Sequence, residues 1–240
     1  MDDEAVHEPR AGTTPAETSS PGDGVIGRLK GVCRDAVRAL SASGVGVSVM
    51  AGNGVRGMAT ASDPATERIE ELQFTVGEGP CVDAFATSRP VLVPDLADGA
   101  MGRWPIYAPA VHDAGIRAVF AFPMQIGAVR LGVLDVFRTL PGSLSREELG
   151  RALTFADRAV TALLDGQQRA TTTPNGLDGL DEVIERRAEL FQAQGMVMVQ
   201  LGVPIAEALV RIRAYAYAEN RPLNDVAADI VARRLRFDRD

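Results

Sequence analysis

The chain has 240 residues, room for one large domain or two modest ones, and its 46% apolar and 24% charged residues are those of an ordinary globular protein. No stretch approaches the ~18 uninterrupted apolar residues of a bilayer crossing, and the start Met1-Asp2-Asp3-Glu4 is acidic where a secretory signal is basic, so a cytoplasmic protein without membrane contact is expected. Two cysteines, Cys33 and Cys81, exclude a disulfide framework, and with two histidines they give no zinc-binding spacing; no metal and no cofactor is expected. The net charge of −7 argues against coating nucleic acid by bulk charge. Most of the excess lies in residues 1–23, with six acids against one base, whereas 183–236 carry eight arginines against six acids, a local net of +2.

Residues 1–23 are rich in Pro, Gly, Thr, Ser and acid without apolar periodicity and read as a disordered acidic tail. From Val25 to Leu40 apolar residues recur at three and four, one face of a helix. Val45, Val47 and Val49 then alternate, and Gly52-Asn53-Gly54 supplies a hairpin turn into a strand from about Val55 to Ala61. Asp63-Pro64 opens a helix to about Leu72, with the aspartate as cap and the proline in its first turn. Gly77-Glu78-Gly79-Pro80-Cys81 is a turn feeding a short helix to about Ser88, followed by a strand Val91-Leu92-Val93. Trp104 to Ala114 reads as a helix, and Arg117–Ile126 with Val129–Thr139 as the central hairpin. Ser145 with Glu148 three residues later is a capping box for a long final helix.

Gln167 to Gly176 is nearly devoid of apolar residues and marks a linker over 167–177. Three helical patterns follow, at about Leu177–Leu201, Pro204–Glu219 and Pro222–Leu235, with connections short enough to force a three-helix bundle. The first carries two adjoining apolar stripes, more than such a bundle needs. A parallel homodimer through the first part of this helix is expected, with Leu190 in its apolar seam. Gly195 in mid-helix costs ~1 kcal/mol relative to alanine, which the close approach of a second helix or of a binding partner is expected to offset.

Residues 24–166, with Gly77-Glu78-Gly79-Pro80-Cys81, Arg89-Pro90-Val91-Leu92-Val93-Pro94-Asp95-Leu96 and Leu131-Gly132-Val133-Leu134-Asp135-Val136-Phe137, resemble a GAF domain. The resemblance implies an antiparallel sheet with flanking helices, a sensory or dimerising role, and a pocket for a small-molecule effector on one face. Cyclic-nucleotide-binding members carry an Asn-Lys pair, whereas the only lysine here, Lys30, lies in the first helix; bilin-linking members need a cysteine beside a histidine, which neither Cys33 nor Cys81 has. His112 as a haem ligand competes with a solvated surface histidine. Ligand candidates are the Gly77/Gly79 turn, Gly79 above all, whose N–H groups can face an anion, and Cys81, either an oxidant-sensing thiolate at a helix start or a small buried thiol.

Residues 178–237, with Ala193-Gln194-Gly195-Met196-Val197-Met198, Leu201-Gly202-Val203, Ile212-Arg213-Ala214-Tyr215-Ala216 and Asn220-Arg221-Pro222-Leu223, are similar to the ANTAR module of transcription antitermination regulators. The whole is thus expected to be α+β, a GAF domain followed by an all-α three-helix bundle. The resemblance implies binding of tandem stem-loops with six-base loops in nascent leader RNA, which prevents terminator formation. Exposed loop bases are read by aromatic and guanidinium planes and by hydrogen bonds to base edges. The candidates for that contact are Gln194, Arg211, Arg213, Tyr215, Asn220 and Arg221, Arg213 standing at the family's most regular arginine. An enzyme is not expected: no paired carboxylates with a supporting histidine, no nucleophile elbow and no phosphate loop occur. The other readings are a DNA-binding regulator, against which Asp225 and Asp229 in the would-be recognition helix argue, and a protein-interaction signalling module.

Overall fold

The computed structural model describes residues 24–50, 56–170 and 180–238. The acidic tail and the Gly52-Asn53-Gly54 turn lie outside them. Helix α1 (Val25–Ala39) buries Val25, Leu29, Val32, Cys33 and Ala36, the face that the spacing predicts. Strands β1 (Gly44–Met50) and β2 (Arg56–Ala61) pair antiparallel. Helix α2 (Pro64–Val76) starts as expected, Asp63 accepting the N–H groups of Ala65 and Thr66 at 2.9 and 3.0 Å. It runs four residues past Leu72, because Gln73, Phe74 and Thr75 still face inward, and stops at Gly77, whose left-handed φ of 79° suits a residue without Cβ.

Helix α3 (Pro80–Thr87) and strand β3 (Val91–Val93) follow. In place of the single helix expected from Trp104 there are two, α4 (Ala100–Arg103) and α5 (Tyr107–Asp113). Trp104 precedes Pro105, whose ring disfavours the helical region for the residue before it, and Trp104 takes φ −131° and ψ 78°. Glu78 restarts the chain by accepting the N–H groups of Ile106 and Tyr107 at 2.6 and 2.9 Å. Strands β4 (Ala118–Ile126) and β5 (Val129–Arg138) and helix α6 (Arg146–Ala170) complete the unit.

The sheet is ordered β2-β1-β5-β4-β3, antiparallel throughout, with the expected hairpin at its centre. Both faces are covered. Val45, Val47, Phe120, Phe122, Leu134 and Val136 pack against α1 and α6, while Val119, Ala121, Val133 and Phe137 pack against Phe85, Trp104 and Tyr107 on the other side. Alternation sends each strand's neighbours to opposite faces, so an apolar run here means two cores rather than one.

The capping box forms: Glu148 Oε2 accepts the Ser145 N–H at 2.7 Å, and Ser145 Oγ accepts the Glu148 N–H at 3.2 Å. Arg138 donates to the other Glu148 oxygen and to the Leu40 carbonyl. The Ser145 backbone hydrogen bond, then the Arg138 guanidinium, hold the Glu148 carboxyl down from 4.5 to about 2. A depressed carboxyl stabilises the fold above its unfolded value and loses that contribution as pH falls through its folded one. Glu148→Gln, which keeps the cap but removes the charge, is therefore expected to cost about 1 kcal/mol at pH 7 for this partly exposed pair. In denaturant unfolding the gap to the parent protein should close between pH 4.5 and 2. Equal stabilities at pH 7 would contradict the assignment.

Because α6 continues to Ala170, the first residues of the expected linker are helical, and 171–179 lie outside the described residues. Helices α7 (Leu180–Leu201), α8 (Ile205–Ala218) and α9 (Leu223–Val231) bury Leu190, Ala193, Val197, Ala208, Ile212, Ala216, Leu223, Val226, Ala227 and Ile230 together. Leu190 therefore belongs to the core of the bundle and not to a seam with a second copy. Around Gly195 an added Cβ would meet nothing within 4 Å, so the close approach expected at that glycine is not made by any described residue. The third helix ends at Val231 instead of Leu235: Arg233 turns left-handed at φ 60°, and the chain folds back so that the Phe237 N–H donates to Gln200 Oε1 at 2.9 Å.

Candidate functional site

The six residues expected to read RNA are not brought to one surface. Arg211 is exposed and pairs with Glu207 one turn back, at 3.3 Å. Tyr215, one turn on, is half-buried and sets its ring edge-on against Phe237, centroids 5.6 Å apart. Asn220 is exposed and left-handed at φ 50°, as the residue that ends α8. Arg221 donates to Asp229 at 2.6 Å, and Arg234 reaches the same carboxylate at 2.7 Å. These two hydrogen bonds, Arg221's first, hold the Asp229 carboxyl below its usual range. Gln194 is buried, since at four residues past Leu190 and three before Val197 it shares the core-facing stripe of α7.

Arg213 takes a different seat. Its guanidinium lies on the turn after α2 of the first domain, so close that a Cβ built on Gly77 would come within 2.6 Å of Nη1. Beside it, Arg68, Glu71, Leu72, Thr75 and Ala110 face Ala216, Tyr217, Asn220, Arg221 and Pro222 across a groove between the two domains. Arg213, Asn220 and Arg221 therefore face the first domain, while Arg211 lies outside that groove.

A second constellation lies inside the first domain, and sequence reasoning missed most of it. Asp135 sits between Val133 and Phe137 on the α2–α5 face of β5, directly opposite Gly46 in the β1–β5 register. Glu70, on the inner face of α2, fits over Gly46, where a Cβ would lie 2.4 Å from Oε1. The carboxyls of Glu70 and Asp135 and the thiol of Cys81 have ligand atoms all within 4.8 Å of one another, and all three side chains are completely buried. Ser48 Oγ donates to Glu70 Oε2 at 3.1 Å, and Gln73 Oε1 accepts the Cys81 N–H at 2.9 Å. Burial pushes the Asp135 carboxyl up to about 7, and burial and then Asp135 push Glu70 well above the carboxylate range. Burial, followed by the two acids, also raises the Cys81 thiol and the Tyr107 hydroxyl.

Of the two readings of Cys81, the geometry supports the small buried thiol, held protonated by its surroundings. The Gly79 turn is likewise buried, and the Cys81 N–H that follows it is already taken by Gln73, which leaves that group no role toward an outside anion. His112 is half-buried on α5, its backbone carbonyl accepting from Arg117 at 2.7 Å. The available signal for the missed residues was Asp135 itself, a charge in the middle of an otherwise apolar strand.

Among the described residues no single helix is long and apolar enough to cross a membrane. No curated protein matches the chain. Among solved structures, it is similar to the GAF3 domain of a Synechocystis sp. protein in its photoproduct state, with 15% identity, 62% of this chain and 99% of that one covered, and a TM-score of 0.51. It is also similar to the GAF domains of phosphoenolpyruvate-protein phosphotransferases from Coxiella burnetii, at 16% identity with 64% and 89% covered and a TM-score of 0.49, and from Acinetobacter, at 10% identity with 62% and 87% covered and a TM-score of 0.47. At such identities the likeness speaks to the fold alone. The family models match more directly, a GAF domain over residues 26–163 and an ANTAR domain over residues 178–231. The chain belongs to the GAF domain family and joins that sensory domain to a C-terminal ANTAR domain, an RNA-binding antitermination module.

Proposed function

We propose that the chain is a cytoplasmic antitermination regulator. As a homodimer it binds tandem stem-loops with six-base loops in nascent leader RNA and so prevents the terminator from forming, under the control of an effector held by the GAF domain. The observation that carries this reading is the seat of Arg213. The arginine at the family's most regular position rests on the Gly77 turn that closes α2, and α2 also carries Glu70 in the domain interior. A change inside the GAF domain thus reaches the ANTAR domain's base-reading candidates through one helix. Arg213 is held against Gly77 by the packing of the two domains, so its use on a loop base requires that contact to open.

Stem-loop RNA is expected to bind the full chain roughly tenfold or more tightly than duplex DNA of the same length, because unstacked loop bases offer faces that a duplex hides. The salt dependence should be shallow, since the eight arginines of 183–236 include several committed to acids and few phosphates are neutralised. Fluorescence anisotropy over a salt series measures both. Equal affinities would favour the DNA-binding reading, and binding to neither would favour a protein-interaction module.

A further inference from the structure

The interior cluster of the GAF domain poses a problem of its own, independent of the RNA reading. Two carboxyl groups face each other beneath the sheet, on α2 and β5, with no arginine or lysine among the groups that act on Asp135. Glu70 Oε2 is served by Ser48 at 3.1 Å and Gln73 at 3.5 Å. With both acids ionised, Glu70 Oε1 and both oxygens of Asp135 lack a donor among the described residues, since their contacts with each other need a proton between them; the Tyr107 hydroxyl, completely buried, has no partner either, while Glu70, Asp135 and Cys81 all act on it. Buried polar atoms left unpaired are costly, and buried carboxylates more so. Something positive has to lie between them, either protons or a cation.

The donor set and its framing favour the cation. We propose that Glu70, Cys81 and Asp135 bind one divalent transition-metal ion of borderline softness, such as Zn²⁺ or Fe²⁺, inside the GAF domain. Oxygen and sulfur ligands at about 2.0–2.3 Å from a tetrahedral ion stand about 3.3–3.8 Å apart, so atoms already within 4.8 Å of one another need only a small contraction. A thiolate among the ligands selects against Mg²⁺ and Ca²⁺, which take oxygen shells. Three protein ligands leave a fourth position open, and the buried Tyr107 hydroxyl is acted on by all three of them. The framework is built for these side chains: Gly46 is the only residue type that leaves room for Glu70, and a Cβ on Gly79 would meet Gln73 Oε1, the atom that fixes the Cys81 backbone, at 2.4 Å. Binding displaces the protons that the buried groups carry without the ion, so affinity rises with pH.

The test uses the full chain, reduced and stripped with a chelator, then titrated with Co²⁺ and challenged with Zn²⁺. One equivalent of Co²⁺ is expected to give a thiolate-to-cobalt charge-transfer band that Zn²⁺ abolishes, and Zn²⁺ is expected to raise the melting temperature. Cys81→Ser should lose the band, whereas Cys33→Ser should keep it, because Cys33 lies in the other core between α1 and α6. Asp135→Asn, which keeps the size of the side chain, should bind tenfold or more weakly, with melting of the metal-free variant checking its fold. Absence of the band and of Zn²⁺ stabilisation in the parent chain would overturn the proposal. So would a band that survives in Cys81→Ser, which would place the ion elsewhere. Neither outcome bears on RNA binding, which is measured separately.

Discussion

Leu190→Asp is expected to unfold the α7–α9 bundle, at a cost of about 3–5 kcal/mol. Leu190 is 6% exposed and packs in the cluster formed by Val197, Ile212, Leu223, Val226 and Ile230. The substitution removes apolar contact and places a carboxylate among the apolar side chains of that cluster. Circular dichroism on heating should show the loss of the three C-terminal helices while the transition of the GAF domain persists. Its control is Phe191→Asp. Phe191 is the next residue but 36% exposed, on the face of α7 that also carries Val199, 69% exposed, and the proposed homodimer would use that apolar face. There the expected cost in stability is within about 0.5 kcal/mol, and sedimentation should show the homodimer separating. A Leu190→Asp protein that melts like the parent would remove Leu190 from the core, and a Phe191→Asp protein that stays dimeric would remove this face from the dimer.

What the sequence shows and what it hides divide along a physical line. Helices α1 and α6 are legible residue by residue, since one face of each is buried and the spacing records it, and β4 and β5 are legible as apolar runs because both of their faces are covered. Caps are legible too: Asp63 and the Ser145/Glu148 pair do what their chemistry implies. The break at Trp104 was written in Pro105 but outweighed by the apolar pattern. Leu190 shows the limit of periodicity, which marks an apolar stripe without saying whether it meets the same chain or another. Glu70 and Asp135 lie 65 residues apart and meet only through the register that sets Gly46 opposite Asp135, so no local pattern announces them. Gly77 looked like a turn glycine and is one, but its second role, bare backbone on which a guanidinium from another domain can rest, exists only once both domains are folded.

Arg213→Ala is expected to weaken binding of the tandem stem-loop RNA by about 1–3 kcal/mol, the range measured when a plane that stacks on a base is removed. Arg213→Lys should recover little, because lysine restores the charge without the planar fork. The competing role is structural: Arg213 is half-buried against Gly77, and its loss would then loosen the docking of the two domains without touching RNA. Gly77→Ala separates the two. Its new Cβ would fall 2.6 Å from Nη1 and displace the guanidinium from its seat, while Arg213 and every other ANTAR residue keep their identity. The left-handed φ of 79° adds a local strain of about 1 kcal/mol, which thermal unfolding of the same variant records. If Arg213 reads a loop base and the Gly77 seat holds it back, Gly77→Ala should keep or improve RNA affinity where Arg213→Ala loses it. Lost affinity in both variants, with melting lowered in both, would return Arg213 to the scaffold, and unchanged affinity in Arg213→Ala would falsify its role in RNA recognition.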